Sequence, residues 1–208
     1  MEEELEMRSY IMQESNKLFS QFGFKSVTMD DIARQLGISK KTIYQHFADK
    51  DELVNILIEA KITHQQCTMK QCANDAQDAV EEIFLSIAHI HDTLGTMNPK
   101  IFYDLQKYHP KAWLNFKAFK EKRMEGSFME NLERGLSEGI YRSEINKDIL
   151  TQVRIDHADL VFNKQDHFTM NKYSIAQVLV ELTEHFLYGI CNQKGLKLIT
   201  KYKEQYAI

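Results

Sequence analysis

The sequence has little that breaks a helix and nothing that marks a strand, a membrane span or a nucleotide cradle. Two prolines and eight glycines in 208 residues leave room for long helices. No apolar run approaches the roughly 18 residues that a membrane span needs. The opening segment MEEELEMR is acidic and does not read as a secretory signal, so a cytoplasmic protein with no membrane contact is expected. The three cysteines, Cys67, Cys72 and Cys191, are odd in number and fit no metal spacing, which points to reduced thiols. There is no glycine-rich phosphate loop, no GxSxG elbow and no HExxH. His64 and Cys67 lie three apart without further ligands, and Asp156, His157 and Asp159 do not share one helix face. No metal, no cofactor and no catalytic residue is expected.

What is present is ordinary for a soluble globular chain: 43% apolar and 27% charged residues, with length for one small and one medium domain. The net charge of −4 is unevenly spread, because Lys25 to Lys50 holds five basic residues against three acidic ones. The acids there, Asp30, Asp31 and Asp49, fall near helix starts, where they suit the helix dipole. A basic end on an acidic molecule can orient it toward a polyanion.

The stretch Thr28 to Phe47, TMDDIARQLGISKKTIYQHF, reads as a helix, a tight turn and a second helix. Ala33, Gly37 and Ile43 have the steric pattern of a helix-turn-helix: a small residue where the helices cross, a glycine in the turn, a buried plug in the second helix. Ile32, Leu36, Ile38 and Phe47 complete a small core. Thr28 with Asp31 predicts a cap, Val27 with Ile32 a hydrophobic staple, Ser39 a second cap, and Asp49 with Glu52 a third. With Ile43 and Phe47 inside, Lys40, Lys41, Thr42, Tyr44 and His46 are left to the other face. Basic, hydroxyl and aromatic groups there can meet phosphates and base edges. Lys50 opens the next helix, where side chain and backbone N–H can both meet a phosphate, and Thr28 can add a contact while capping.

On these residues the run Ile11 to Val54 resembles the DNA-binding domain of the TetR/AcrR family of transcriptional regulators. The matching positions are Leu18-Phe19, Gly23-Phe24, Thr28, Ile32-Ala33, Gly37-Ile38-Ser39, Thr42-Ile43-Tyr44, His46-Phe47, Lys50 and Leu53. Many members carry Gly where this chain has Lys41. The resemblance implies double-stranded operator DNA as a partner. It also implies a small-molecule effector in an apolar pocket of the C-terminal helices, with Phe84, His91, Phe102, Tyr103, Tyr108, Trp113, Phe116 and Phe128 as candidate lining residues.

The rest of the chain is read as helical throughout, giving an all-α fold. A bracing helix is expected from about Glu4 to Phe22, its buried stripe marked by Ile11, Leu18 and Phe22. Residues 1–50 form the helix-turn-helix domain, a connecting helix spans 49–72, and 73–208 form a larger effector-binding and dimerisation domain. Pro110 suits the first turn of a long helix reaching Ser137, Asn163 to Lys172 reads as a loop, and Gly195 is placed before a last helix. One helix-turn-helix reads few base pairs, so a homodimer is expected. The apolar stripes at Val153, Leu160, Val161, Ile175, Val178, Leu179, Leu182 and Phe186 are its expected interface. A regulator gated by a protein partner or a redox change is the alternative, and a helical enzyme a distant one.

Overall fold

A computed structural model describes residues 2–94, 98, 100–163 and 173–206. The elements are α1 (Glu2–Phe22), α2 (Met29–Leu36), α3 (Lys40–His46), α4 (Lys50–Asp75), α5 (Ala79–Leu94), α6 (Ile101–Tyr108) and α7 (Pro110–Phe119). A π-helical turn, Lys120–Met124, joins α7 to α8 (Glu125–Ser137), followed by α9 (Lys147–Asn163), α10 (Ile175–Ile190) and α11 (Gln193–Tyr206). The fold is all-α. Among the described residues the only extended pairing is an isolated bridge between Tyr141 and Cys191. Apart from Asn163, the segment expected to be a loop lies outside the described residues.

The chain packs as two compact units, Met1–Thr63 with Thr96–Lys117, and His64–Gly95 with Ala118–Ile208. The grouping is not linear in sequence. Ile101, Leu105 and Ala112 join the first unit because they are buried in the same cluster as Ile11, Phe19, Ile43 and Phe47. In α1 the buried stripe runs Ile11, Ser15, Phe19 at helical spacing, whereas Phe22 is 49% exposed. A serine in the stripe hides it from a purely apolar pattern.

The second unit is built on Val80, Phe84, Leu132, Ile140, Tyr141, Leu187, Ile190, Ile199 and Tyr202. Several of its interior polar groups are paired. Arg134 donates to the Ala73 and Ala76 carbonyls at the C-terminal end of α4 (2.9 and 2.8 Å) and pairs with Glu82 and Glu138 at 3.2 and 2.7 Å. Those last carbonyls have no partner within the helix, so the guanidinium caps it. The Tyr141 hydroxyl donates to Asn131 Oδ1 (2.9 Å), whose Nδ2 donates to the Ala79 carbonyl (3.0 Å). The last helix starts two residues before Gly195, not after it: Asn192 Oδ1 accepts from the backbone of Lys194 and Gly195 and caps it. Gly195 is inside the helix because a side chain there would meet the Ile140 carbonyl at 2.4 Å.

Two glycines are required for different reasons. Gly37 has φ 66°, the left-handed conformation that ends α2, with open space around it. Gly135 lies within a helix, but a Cβ there would sit 2.1 Å from the Tyr141 ring, which its hydrogen bond to Asn131 holds in place. We expect Gly37→Ala to cost about 1–2 kcal/mol through backbone strain, with Gly37→Asn recovering part of it. Gly135→Ala should cost about 1–3 kcal/mol by overpacking, and Gly135→Asn should be worse. Urea melts of the four variants would check both the sizes and the opposite ranking of Asn.

Candidate nucleic-acid interface

The recognition face is made by what is buried behind it. Ile43 and Phe47 are 0% and 1% exposed, so the rotation of α3 about its axis is fixed. Ala33 is buried where α2 meets it. The turn closes with Gly37 N–H on the Arg34 carbonyl (3.3 Å) and Ile38 N–H on the Ala33 carbonyl (3.1 Å). At the start of α2, Thr28 Oγ1 accepts from Asp31 N–H (3.2 Å) and Asp31 Oδ2 accepts from Thr28 N–H (3.0 Å), the reciprocal cap expected from the sequence. The Thr28 hydroxyl also donates to Asp31 Oδ2 at 2.6 Å, and that bond, with the Thr28 amide, holds the Asp31 carboxyl below its ordinary value, Arg34 helping. Ser39 Oγ accepts from Thr42 N–H at 3.0 Å and caps α3.

The seven residues expected at the DNA surface differ in exposure and in what already holds them. Lys41 and Tyr44 are exposed on α3, and Lys41 has no ion pair among the described residues. Lys40 is exposed but committed in part, its ammonium 2.8 Å from Asp30 and over the Tyr44 ring at 5.9 Å. Thr42 and His46 are half-buried beside it, Thr42 Oγ1 lying 2.8 Å from Ser39 Oγ, while Thr28 is occupied as a cap. Lys50 turns inward: its ammonium donates to the Phe24 carbonyl and lies over the Phe19 ring at 5.8 Å. Burial lowers its pKa, against the pull of Asp104 and Asp51. Gln45 was missed by the sequence reading. It is exposed and four residues after Lys41, hence on the same face, and that spacing was the available signal.

The reading head is anchored from behind by α6 and the start of α7. Asp104, 5% exposed, accepts the Lys25 backbone N–H at 2.8 Å. His109 Nδ1 lies 2.5 Å from Asp51 Oδ1 in the first turn of α4, and its ring meets Phe24 edge-on at 5.6 Å. His109 Nε2 is buried with no hydrogen-bond partner. A proton there would bury an unpaired N–H and its charge, so burial holds the imidazole below its ordinary value although Asp51 pulls it upward.

The candidate effector residues fall in both units. Phe102, Trp113 and Phe116 form a ring cluster, 5.6 and 5.9 Å between neighbours, packed on the core of the first unit. Tyr103 and Tyr108 flank the Lys107 ammonium there. Phe84 is fully buried in the second unit against Tyr202 and Tyr206, and Phe128 lies under the Arg154 guanidinium. The His91 side chain lies outside the described residues. Of the expected interface residues, Val161, Ile175, Leu179 and Phe186 are buried by their own chain, while Val153, Leu160, Val178 and Leu182 are half-exposed. Cys72 and Cys191 are buried, which raises both thiols, Cys191 to about 12; Cys67 is exposed. Among the described residues no group of three or more His, Cys, Asp or Glu side chains could hold a metal, and no helix is long and apolar enough to cross a membrane.

A capped helix pair with a fixed, partly basic outer face defines a helix-turn-helix DNA-binding protein. The family model described as bacterial regulatory proteins, tetR family, matches residues 11–57. The chain is 26% identical over 185 residues to the uncharacterized HTH-type transcriptional regulator YvaF of Bacillus subtilis, covering 88% of this chain and 95% of that one. Its fold is similar to a TetR-family transcriptional regulator from Agrobacterium tumefaciens, with a TM-score of 0.74 at 16% identity over 91% of this chain and 100% of that one. It is also similar to a gamma-butyrolactone receptor described as ArpA-like, with a TM-score of 0.67 at 13% identity over 98% and 97% of the two chains. Residues 11–57 carry the DNA-binding domain of the tetR family, and the chain is a DNA-binding transcriptional regulator.

The His109 contact makes the first unit sensitive to acid. An imidazole whose pKa is lower folded than unfolded contributes stability above the unfolded value, about 6.5, and loses it as pH falls toward the folded one. Trp113 is the only tryptophan and reports on this unit. We expect its fluorescence melt to shift downward between pH 7 and 5, and His109→Gln to flatten that dependence.

Proposed function

We propose that the chain is a homodimeric repressor that leaves a palindromic operator when a small apolar or amphipathic molecule binds its second unit. The observation that carries the DNA half is the outward row of α3, where Lys41, Tyr44 and Gln45 are exposed while Ile43 is fully buried behind them. In this reading Lys41 and Gln45 face base edges, with Lys suited to guanine and Gln to adenine. Lys40, Thr42, Tyr44 and His46 hold phosphates, and Lys50 contributes its backbone N–H at the start of α4 rather than its ammonium.

The dimer follows from reach, since two recognition helices about 34–36 Å apart fit successive major-groove faces. Ile149, Val153 and Leu160 on α9, with Val178 and Leu182 on α10, are apolar and not fully used by their own core. Two such helices per protomer can pair as a four-helix bundle. Small-molecule gating is supported by the family and by the likeness in fold to a gamma-butyrolactone receptor. The effector would weaken operator binding by about 5- to 150-fold through a coupling of roughly 1–3 kcal/mol. Helix α4, which contributes residues to both units, is the proposed lever. A redox trigger has less support, because burial raises two of the three thiols. A cytoplasmic location accords with this role.

Two experiments test the reading. Val178→Glu with Leu182→Glu should give monomers by sedimentation and weak operator binding; an unchanged dimer would move the interface elsewhere. Selection over randomised palindromes should return a base preference for the wild type that Lys41→Gly relaxes at one pair per half-site, at a cost of about 1–3 kcal/mol. Identical profiles would assign Lys41 to the backbone. The same titrations against salt should show Lys50→Ala changing the slope by much less than the roughly 0.9 expected for one lost phosphate contact.

A further inference from the structure

The second unit holds a cation that no described residue pairs as an ion. Arg154, on α9, lies over the Phe128 ring at 5.4 Å and the Phe186 ring at 5.5 Å. Its Nη2 donates to Thr183 Oγ1 at 2.6 Å. That hydroxyl in turn donates to the Leu179 carbonyl at 2.6 Å, so the described residues offer the guanidinium a neutral dipole and two ring faces, and no anion. Arg134, Arg142 and Lys147 each pair with a glutamate. Arg154 forms no ion pair among the described residues. Burial pushes its pKa down to about 10. Removing a guanidinium from water without a counter-charge is among the costlier things a fold can do.

A second orphan lies one turn further along α9. His157 Nδ1 is buried with no hydrogen-bond partner. Burial, the Arg154 charge and His185 on α10 all disfavour its protonation, and Asp156 opposes them. Asp156 is itself exposed and bound by Gln152 at 2.9 Å. Arg154 is therefore the cation of a corner between α9 and α10 that also holds the His157 imidazole and is walled by Phe128 and Phe186.

We propose that this corner binds an organic anion, a carboxylate on an apolar body, with Arg154 as the charge partner and the two phenylalanines against the apolar part. The guanidinium fork matches a carboxylate geometrically, and its Nε and Nη1 are not used by any described residue. The assignment rests on the ligand-gated reading above and narrows its effector to acids. The Arg154 site was not among the sequence candidates, because an arginine in a polar-looking helix gives no sign of where its counter-ion will be missing.

The test uses the full chain and matched pairs of probes, octanoate with 1-octanol and benzoate with benzyl alcohol, read by melting temperature and by release of a selected operator. In at least one pair the acid should act at tenfold lower concentration than the alcohol on the wild type. Arg154→Gln should erase that ratio while leaving the alcohol response. If Arg154→Gln does not fold, Arg154→Lys replaces it and should reduce the ratio without abolishing it. Equal responses to acid and alcohol in both pairs, or no response to either acid, overturn the proposal, as does a ratio unchanged by substitution. An acid that binds through Arg154 without releasing DNA keeps the site and removes the gating reading.

Discussion

Everything the first unit presents to DNA depends on the burial of Ile43. A seven-residue helix is too short to hold itself together in water, so α3 exists because its inner side chains are covered. Covering Ile43 and Phe47 also sets the helix rotation to within one residue step. That step decides whether Lys41 or its neighbour faces outward. The caps at Thr28 and Ser39 set where each helix starts; the plug sets which way it looks. Positions that never meet DNA thus determine which side chains do.

The sequence announced most of this unit because its signals are local. The caps at Thr28 and Ser39, the turn at Gly37 and the helix start at Pro110 are each written within a few residues, and the structure has them there. What the sequence did not announce is non-local. The apolar pattern missed Ser15 as part of the α1 stripe and took Phe22 for a core residue. Asp104 and His109 fall within the stretch read as the second domain, and their partners are Lys25 and Asp51, 79 and 58 residues away. The Gly195 turn was misjudged for the same reason: what excludes a side chain there is the Ile140 carbonyl, remote in sequence. The candidate effector residues were grouped by composition, which does not say which unit each one joins.

Charge is handled differently in the two units. In the first, buried or half-buried polar groups are used as ties, with Lys50 on a loop carbonyl and Asp104 on a loop amide. In the second, Arg134 is surrounded by carbonyls and glutamates, whereas Arg154 has rings and one hydroxyl. Two arginines of the same unit differ in nothing but what surrounds them. The contrast is why Arg154 reads as an open valence and Arg134 as a structural rivet.

The Tyr141 corner has a consequence for how the second unit comes apart. Its ring packs on Gly135, its hydroxyl reaches Asn131, and its backbone pairs with Cys191. The neighbouring amides of Arg142 and Asn192 are bonded to the Ile190 and Ile140 carbonyls across the same seam. Opening that seam separates α8 from α10 and exposes the ring at one stroke, so fraying from either helix end does not reach it. Amide protons along it should leave for solvent only when the unit opens as a whole, making them the slowest to exchange and a direct gauge of its cooperative free energy.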